Sequence, residues 1–173
     1  MLAGLMDWWC HKHTAIEATS GRRESALHLV MFIQVGTGVL AAMWLQVNLG
    51  LLALLIFLFL LHEFTTWLEL RFVVERRDVR PIEQMVHSFM ELLPLAALFL
   101  MAGLYDGSGQ WALRLKDEPL PAMYIVVAGA AVTLLNVVPL MEEAWRCARQ
   151  EPGASRSPFN GDPMAASRKP RGR

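Results

Sequence analysis

Four long apolar segments, separated by short polar connections, make up most of the middle of the chain. They cover residues 26–48, 49–74, 82–105 and 122–140. Each provides the roughly 20 mainly apolar residues that a helix needs to cross a bilayer core of about 30 Å. The pattern therefore predicts an all-α integral membrane protein, in which these segments form a four-helix bundle over residues 26–145.

The second segment is the least uniform of the four. Its uncharged run ends at Leu61, and a mixture of polar and apolar residues continues from His62 to Glu69 without a glycine or a proline. This mixture predicts one long helix with an amphipathic inner end. Residues 46–50 leave room only for a tight turn, so the first two helices are predicted to form an antiparallel hairpin.

Three residues mark the predicted helix starts. Ser25 is placed to cap the first helix with its side chain. Pro81 and Pro121 stand at the starts of the third and fourth helices, where a backbone N–H donor is dispensable. These markers agree with the limits of the apolar segments.

The two ends of the chain differ in composition from the bundle. Residues 1–25 begin with several apolar and aromatic positions, namely Leu2, Leu5, Met6, Trp8 and Trp9. These positions favour a short helix lying in the membrane interface, with a frayed start as the alternative. Residues 146–173 are rich in Arg, Pro, Gly and Ser and lack an apolar period, which predicts a basic, disordered cytoplasmic tail.

Composition supports a membrane protein and excludes several other classes. Of the 173 residues, 54% are hydrophobic and only 18% are charged, whereas soluble domains carry about 25% charged residues. The 16 Lys and Arg residues balance the 16 Asp and Glu residues, which excludes a globally basic nucleic-acid binder. With only Cys10 and Cys147, the chain is not a disulfide scaffold.

The distribution of basic residues predicts how the protein is oriented. All Lys and Arg residues except Arg114 and Lys116 lie in the N-terminal segment, near the connection between the second and third helices, or in the tail. Because basic residues accumulate on the cytoplasmic side, both termini are predicted to lie in the cytoplasm, in a bacterial inner membrane. The expected partners are the lipid bilayer and either a second copy or a larger membrane complex, with no nucleic acid.

Polar side chains inside the predicted spans are costly in hydrocarbon and are therefore candidates for function. Each span carries one such residue at a similar depth, roughly 18–21 Å from the outer surface at about 1.5 Å of rise per residue. The four residues are Gln34, His62, Glu91 and Asn136. The sequence predicts that they form one polar layer.

A second tier of ionisable residues is predicted nearer the cytoplasm. His62 and Glu69 share one face of the second helix, because seven residues complete almost two turns. Glu83, His87 and Glu91 follow one another at intervals of four residues on the third helix. In an antiparallel pair, His62 then lies opposite Glu91, and Glu69 lies near Glu83. His28 is expected to approach this tier from the first helix.

This tier is a candidate metal site. The predicted ligands are His62, Glu69, Glu83, His87 and Glu91. Carboxylates and imidazoles hold the metals of di-iron and di-manganese bundles, but those use a Glu-x-x-His spacing that this sequence lacks. An Fe, Zn, Cu or Mn site of another geometry is therefore the hypothesis, with ion pairs to nearby arginines as the alternative for Glu69 and Glu83.

Glu91 is the strongest single candidate, as a ligand or as a catalytic acid or base, because its neighbours on the helix are apolar. His62 ranks second and His87 third. The run from Cys10 to His13 resembles half of a metal site, but no second pair completes it, which favours a chance cluster.

Three functions remain open at this point. The preferred hypothesis is a metal-binding, redox or acid–base site between the second and third helices. The alternatives are a structural or accessory membrane subunit without chemistry of its own, and a proton- or ion-coupled transporter that acts as an oligomer. The sequence does not decide whether the protein is an enzyme, since it contains no P-loop, nucleophile elbow or His-Glu-x-x-His motif.

Overall fold

A computed structural model describes residues 1–118 and 120–149. In chain order, its elements are α1 (Leu2–Thr14), a 3₁₀ turn (Ile16–Ala18), α2 (Gly21–Trp44), α3 (Leu49–Val74), α4 (Pro81–Gly103), α5 (Ala122–Val132), a π-helical segment (Thr133–Val137) and α6 (Val138–Arg149). Within these two ranges the protein is helical and contains no strand. The prediction of an all-α fold is confirmed for this part of the chain.

Four helices are long and apolar enough to span a membrane, as the sequence predicts: α2, α3, α4 and the continuous helix that runs from Ala122 to Arg149. The bounds of α3 match the predicted segment, whereas α2 lies about one turn earlier in the chain than expected. The last helix continues to Arg149, so the first residues of the predicted disordered tail are helical. The rest of that tail, residues 150–173, lies outside the described residues.

The helix ends follow the local chemistry of the chain. Asn48 caps α3 by accepting a hydrogen bond of 3.0 Å from the Leu51 amide, and Pro81 opens α4. The prediction for Ser25 is wrong: it lies inside α2 and is buried. The helix begins at Gly21, whose φ of 56° is readily adopted by glycine but not by residues with a Cβ.

Helices α2 and α3 pack against each other in antiparallel orientation. Gln34 Nε2 donates to Thr65 Oγ1 at 2.9 Å. Closer to the start of α2 and the end of α3, His28 Nε2 lies 3.0 Å from Glu69 Oε1. The long connection after α4 folds over the α2–α3 turn, where Asn48 Nδ2 donates to the Ala112 carbonyl at 2.9 Å. This connection closes the end of the bundle opposite to α1.

Helix α1 is an additional member of the bundle and packs on α4 and on the last helix. Gly4 lies against the Asn136 side chain, so close that a Cβ at this position would overlap the amide oxygen. Further along α1, the Trp8 indole donates to Glu142 at 2.6 Å. These two contacts show that α1 runs parallel to the last helix, and the polar face of α1 lies at the end of the bundle where α4 begins.

The interior of the described residues is unusually polar. Buried side chains include Asp7, Glu24, Glu69, Glu83 and Glu143, together with three histidines. Large apolar side chains face outward instead, with Phe57 exposed by 61% and Phe99 by 68%. Outward apolar surface is what helices in a bilayer need, whereas buried carboxylates are costly unless they are paired or bind a cation.

Candidate metal centre

Eight acidic and histidine side chains from five helices meet at the end of the bundle where the α3–α4 connection lies. They form four overlapping groups of three, and within each group the potential ligand atoms lie within 4.8 Å of one another. The members are Asp7 and His11 from α1, Glu24 and His28 from α2, Glu69 from α3, Glu83 and His87 from α4, and Glu143 from α6. We refer to these eight residues as the carboxylate–histidine cluster.

The cluster is shielded from solvent. His11, Glu24 and Glu83 are fully buried, and Glu143 is 2% exposed. The most accessible member is His87, whose side chain is 22% exposed and whose Nε2 lies 2.8 Å from Asp7 Oδ1. Any route from outside to the cluster therefore begins between α1 and α4.

Glu143 connects two of the imidazoles. Its Oε2 lies 3.0 Å from His11 Nδ1, and its Oε1 lies 3.0 Å from His28 Nδ1. The two rings are stacked, with planes 2° apart and centroids separated by 4.5 Å. Since Nδ1 of each ring faces Glu143, the Nε2 atoms point away from it, into the remaining carboxylates.

The Nε2 atom of His11 has an unusual environment. It is buried and makes no hydrogen bond. Nevertheless, Glu83 Oε1, Asp7 Oδ1 and Glu24 Oε1 lie 3.3, 3.5 and 3.7 Å from it. Three carboxylate oxygens around one buried nitrogen form a cage suited to a cation.

A second group of ligand atoms surrounds His28. Its Nε2 lies 3.0 Å from Glu69 Oε1, and Glu24 completes the group of three. Glu24 therefore belongs both to this group and to one of the groups around His11.

Arg77, from the connection between α3 and α4, supplies positive charge at the edge of the cluster. Its guanidinium donates to Glu83 Oε2 at 3.0 Å and to Glu24 Oε1 at 2.5 Å, and its side chain is only 5% exposed. Although burial alone would lower the pKa of Arg77, these two carboxylates raise it above its ordinary value. The residue stays charged, as arginine does in proteins.

Asp7 and His11, both from α1, shift each other's pKa in the metal-free cluster. Burial alone would lower the pKa of His11, but the carboxylates of Asp7, Glu143 and Glu83 outweigh it and raise this pKa to about 9. Burial would raise the pKa of Asp7, but His11 and His87 bring it below its ordinary value. The cluster thus favours positive charge, whether from protons or from a metal ion.

The structure brings together three of the five ligands predicted from the sequence: Glu69, Glu83 and His87. His62 and Glu91 belong to none of the ligand groups among the described residues. His62 shares the face of Glu69 but lies about 10 Å further along α3. Glu91 is rotated by about 80° from Glu83, since eight residues of an α-helix turn the chain through about 800°. Glu91 is partly exposed.

The four residues of the predicted polar layer have different neighbours. Gln34 donates to Thr65, and its Oε1 makes no hydrogen bond. Asn136 lies against Gly4, and Glu91 has Glu63 as an electrostatic neighbour. His62 is buried, and its Nδ1 makes no hydrogen bond.

Five members of the cluster are absent from the ligands predicted from the sequence: Asp7, His11, Glu24, His28 and Glu143. A local signal for four of them exists, because an acidic residue precedes a histidine by four positions on three helices. Four residues bring two side chains to the same helix face. The pairs are Asp7 and His11, Glu24 and His28, and Glu83 and His87. Glu143 has no histidine four positions after it, so only the packing of the helices identifies it as a member of the cluster.

Comparison with protein-family models, with curated proteins and with solved structures finds no match to this chain. The function is therefore argued from the geometry of the cluster. Carboxylate oxygens and imidazole nitrogens can hold Fe, Mn, Zn or Cu(II), and among the described residues none of the ligand groups contains sulfur.

Proposed function

We propose that this protein is a membrane metalloprotein, whose carboxylate–histidine cluster holds a resident first-row transition-metal ion. The supporting observation is the environment of His11 Nε2. With Nδ1–H donated to Glu143, a neutral His11 directs its Nε2 lone pair at the oxygens of three carboxylates. Arg77 pairs with Glu24 Oε1 and Glu83 Oε1, and His87 lies beside Asp7 Oδ1. The His11 Nε2 lone pair still faces these oxygens, and a proton or a metal ion at Nε2 removes that repulsion.

The distances suit a metal ion. With metal–ligand bonds of about 2.0–2.2 Å, neighbouring ligand atoms are separated by about 3.0 Å in an octahedral site and about 3.4 Å in a tetrahedral site. The oxygens around His11 Nε2 lie 3.3–3.7 Å from it. A bound ion therefore needs only small side-chain adjustments.

The donor set narrows the choice of metal. Oxygen and imidazole ligands favour Fe, Mn and Zn, whereas Cu(I) selects thiolates and thioethers. Cys10 and Cys147 are buried near the inner end of the bundle but belong to none of the described ligand groups. Iron and manganese are the first candidates, since acidic ligands outnumber imidazoles.

The orientation of the bundle follows from its basic residues. The α3–α4 connection, which carries Arg76, Arg77 and Arg80, lies at the same end as the cluster. If basic residues mark the cytoplasmic side, the cluster lies at the cytoplasmic end of a bacterial inner-membrane protein with both termini inside. The metal would then be loaded from the cytoplasm.

The alternative to a metal site is a metal-free network of ion pairs, and the position of Arg77 favours it. Arg77 already pairs with Glu24 and Glu83, and protonated histidines would neutralise further carboxylates. In that case the cluster would hold α1 against the other helices, and the protein would be a structural subunit.

Metal analysis of the purified full-length protein tests the proposal. The matched variants are His11→Gln and His13→Gln, because His13 is exposed on the same helix and its Nδ1 lies 2.8 Å from the Trp9 carbonyl oxygen. We expect stoichiometric metal in the wild type and in H13Q, and at least a tenfold weaker affinity in H11Q. A wild-type protein that contains no stoichiometric metal and binds no added Fe, Mn, Zn or Cu would overturn the proposal.

A further inference from the structure

We infer that the cluster is a dinuclear centre, in which Glu24 bridges two metal ions and Glu143 positions the imidazole ligand of each. The inference rests on the proposed function and extends it to the number of ions and to the role of each ligand. It follows from the overlap of the ligand groups, the orientation of the two stacked rings and the charge of the cluster.

The ligand groups divide into two sites. Around His11 Nε2 lie Asp7 and His87 in one group and Glu24 and Glu83 in another. These groups share His11, so they describe one site. The second site consists of His28 Nε2, Glu69 and Glu24.

Glu24 is common to both sites, and this makes it the bridging ligand. It is fully buried, and its carboxylate has two oxygens that can bind separate ions. Its Oε1 lies 3.7 Å from His11 Nε2, and the same carboxylate belongs to the ligand group of His28.

The remaining group, which consists of His11, His28 and Glu143, is not a third metal site. Glu143 lies 3.0 Å from Nδ1 of both rings. A carboxylate that accepts a hydrogen bond from Nδ1–H of a histidine selects the tautomer whose Nε2 binds metal. Glu143 therefore acts as a positioning residue for both sites.

The separation of the rings fits two ions. The planes are 2° apart and the centroids 4.5 Å apart, and Nδ1 of both rings faces Glu143, which leaves both Nε2 atoms free to face the other carboxylates. Two-metal sites in proteins hold their ions about 3.5–4 Å apart.

The charge of the cluster is also satisfied by two ions. The buried or nearly buried carboxylates are those of Asp7, Glu24, Glu69, Glu83 and Glu143, and Arg77 pairs with Glu24 and Glu83. With neutral imidazoles, four negative charges remain, and two divalent ions neutralise them. With one divalent ion, two of the three imidazoles would have to stay protonated to avoid an uncompensated buried charge.

Titration of the metal-free, full-length protein with Mn(II) in lipid nanodiscs tests the inference. The bound ions are counted by elemental analysis, and electron paramagnetic resonance distinguishes a magnetically coupled pair from isolated Mn(II). We expect two ions per wild-type chain and a coupled spectrum. Glu69→Gln should bind one ion and show the six-line spectrum of isolated Mn(II), because it loses a ligand of the second site only.

Two further substitutions serve as control and as test of positioning. Glu75→Gln changes an exposed carboxylate just beyond α3 that pairs with the surface residue Arg76, so it should keep two ions and the coupled spectrum. Glu143→Gln should weaken both sites by about 10–100-fold, as expected when a carboxylate behind a histidine ligand is lost.

The outcomes separate this inference from the proposed function. One ion per wild-type chain, without magnetic coupling, would overturn the dinuclear centre but leave a metalloprotein. No bound ion would overturn both. Two coupled ions in Glu69→Gln would overturn the assignment of the second site, and unchanged affinities in Glu143→Gln would overturn the positioning role.

Discussion

The imidazole rings of His11 and His28 are stacked face to face, with centroids 4.5 Å apart. One ring comes from α1 and the other from α2, so the contact ties the N-terminal helix to the first candidate span. Positive charge on both rings, from protons or from metal at Nε2, is repulsive at this separation, and the Glu143 carboxylate that faces Nδ1 of both rings offsets it. The contact therefore joins the packing of α1 to the charge state of the cluster.

Metal affinity should increase with pH. Below about pH 9, His11 is protonated in the metal-free protein, and its proton must leave before Nε2 can bind metal. For one released proton, the affinity rises about tenfold per pH unit below that pKa. Competition with a chelating dye at pH 6, 7 and 8 measures the slope. An affinity that is independent of pH would contradict His11 as a ligand.

The metal-free protein should show the opposite trend in stability. The pKa of His11 is raised from 6.5 to about 9 in the folded state, so its contribution to stability is complete below about pH 6.5. That contribution is lost as the pH rises through about 9. Thermal unfolding of metal-free protein between pH 6 and 9.5 measures this loss, and His11→Gln should remove much of it. Equal declines in wild type and variant would exclude His11 as the cause.

The lowered pKa of Asp7 makes the stability of the metal-free protein depend on pH under acidic conditions. Its contribution to stability is present above the ordinary value of 3.8 and is lost as the pH falls through the lower folded-state value. In the same thermal unfolding series extended to pH 2, the contribution of Asp7 should be lost below about pH 4, as that of His11 is lost above about pH 6.5.

Loss of Arg77 should destabilise the metal-free protein more than the metal-loaded protein. Arg77→Gln leaves Glu24 and Glu83 buried without their cationic partner, and breaking a buried pair costs about 3–5 kcal/mol. Bound metal neutralises the same carboxylates and should recover part of this loss. The control is Arg76→Gln, because Arg76 lies at the surface and pairs with exposed Glu75. Unfolding with and without Mn(II) gives the comparison; equal effects in both states would be inconsistent with metal near these carboxylates.

Gly50→Ala should destabilise the end of the bundle opposite to the cluster. A Cβ at Gly50 would overlap the Trp111 carbonyl oxygen, and a backbone atom cannot move aside cheaply. Overpacking of this kind costs about 1–3 kcal/mol. Gly129→Ala is the matched control, since a Cβ there meets no atom within 4 Å. Thermal unfolding in detergent measures both, and equal stability of the two variants would contradict the packing of this connection on α3.

Cysteine labelling in intact cells should establish the proposed orientation. In a background with Cys10 and Cys147 replaced by alanine, Ser108→Cys lies in the exposed connection after α4, and Glu75→Cys lies in the connection between α3 and α4. A membrane-impermeant maleimide should label the cysteine at position 108 but reach the one at position 75 only after lysis. The reverse pattern would place the cluster on the outer side.

The four candidate spans could be read from the sequence because hydrophobicity is a sum over neighbouring residues. The bounds predicted for α3 agree with the structure, since Asn48 caps its start and no proline interrupts it. The start of α2 was misplaced because Ser25 has the chemistry of a cap, whereas the glycine four positions earlier begins the helix.

The ligand set was only partly predictable. Glu69, Glu83 and His87 could be chosen because they lie in apolar surroundings and share helix faces. His11 shares a helix face with Asp7, but its role depends on the packing of α1 against α4 and α6, which the spacing of these two residues does not specify. Glu91 has the most apolar neighbours along the chain, yet the rotation of α4 directs Glu83 and His87, not Glu91, into the cluster.

By itself, the sequence determines that this protein is helical, that four of its helices can span a membrane, and that acidic and histidine residues recur on shared helix faces. Those properties depend on residues close together in the chain. Only the tertiary structure decides which faces meet, because helical periodicity sets the direction of a side chain relative to its own helix but not the rotation of that helix against its neighbours. The stacking of His11 on His28 and the bridge from Glu143 arise from that rotation.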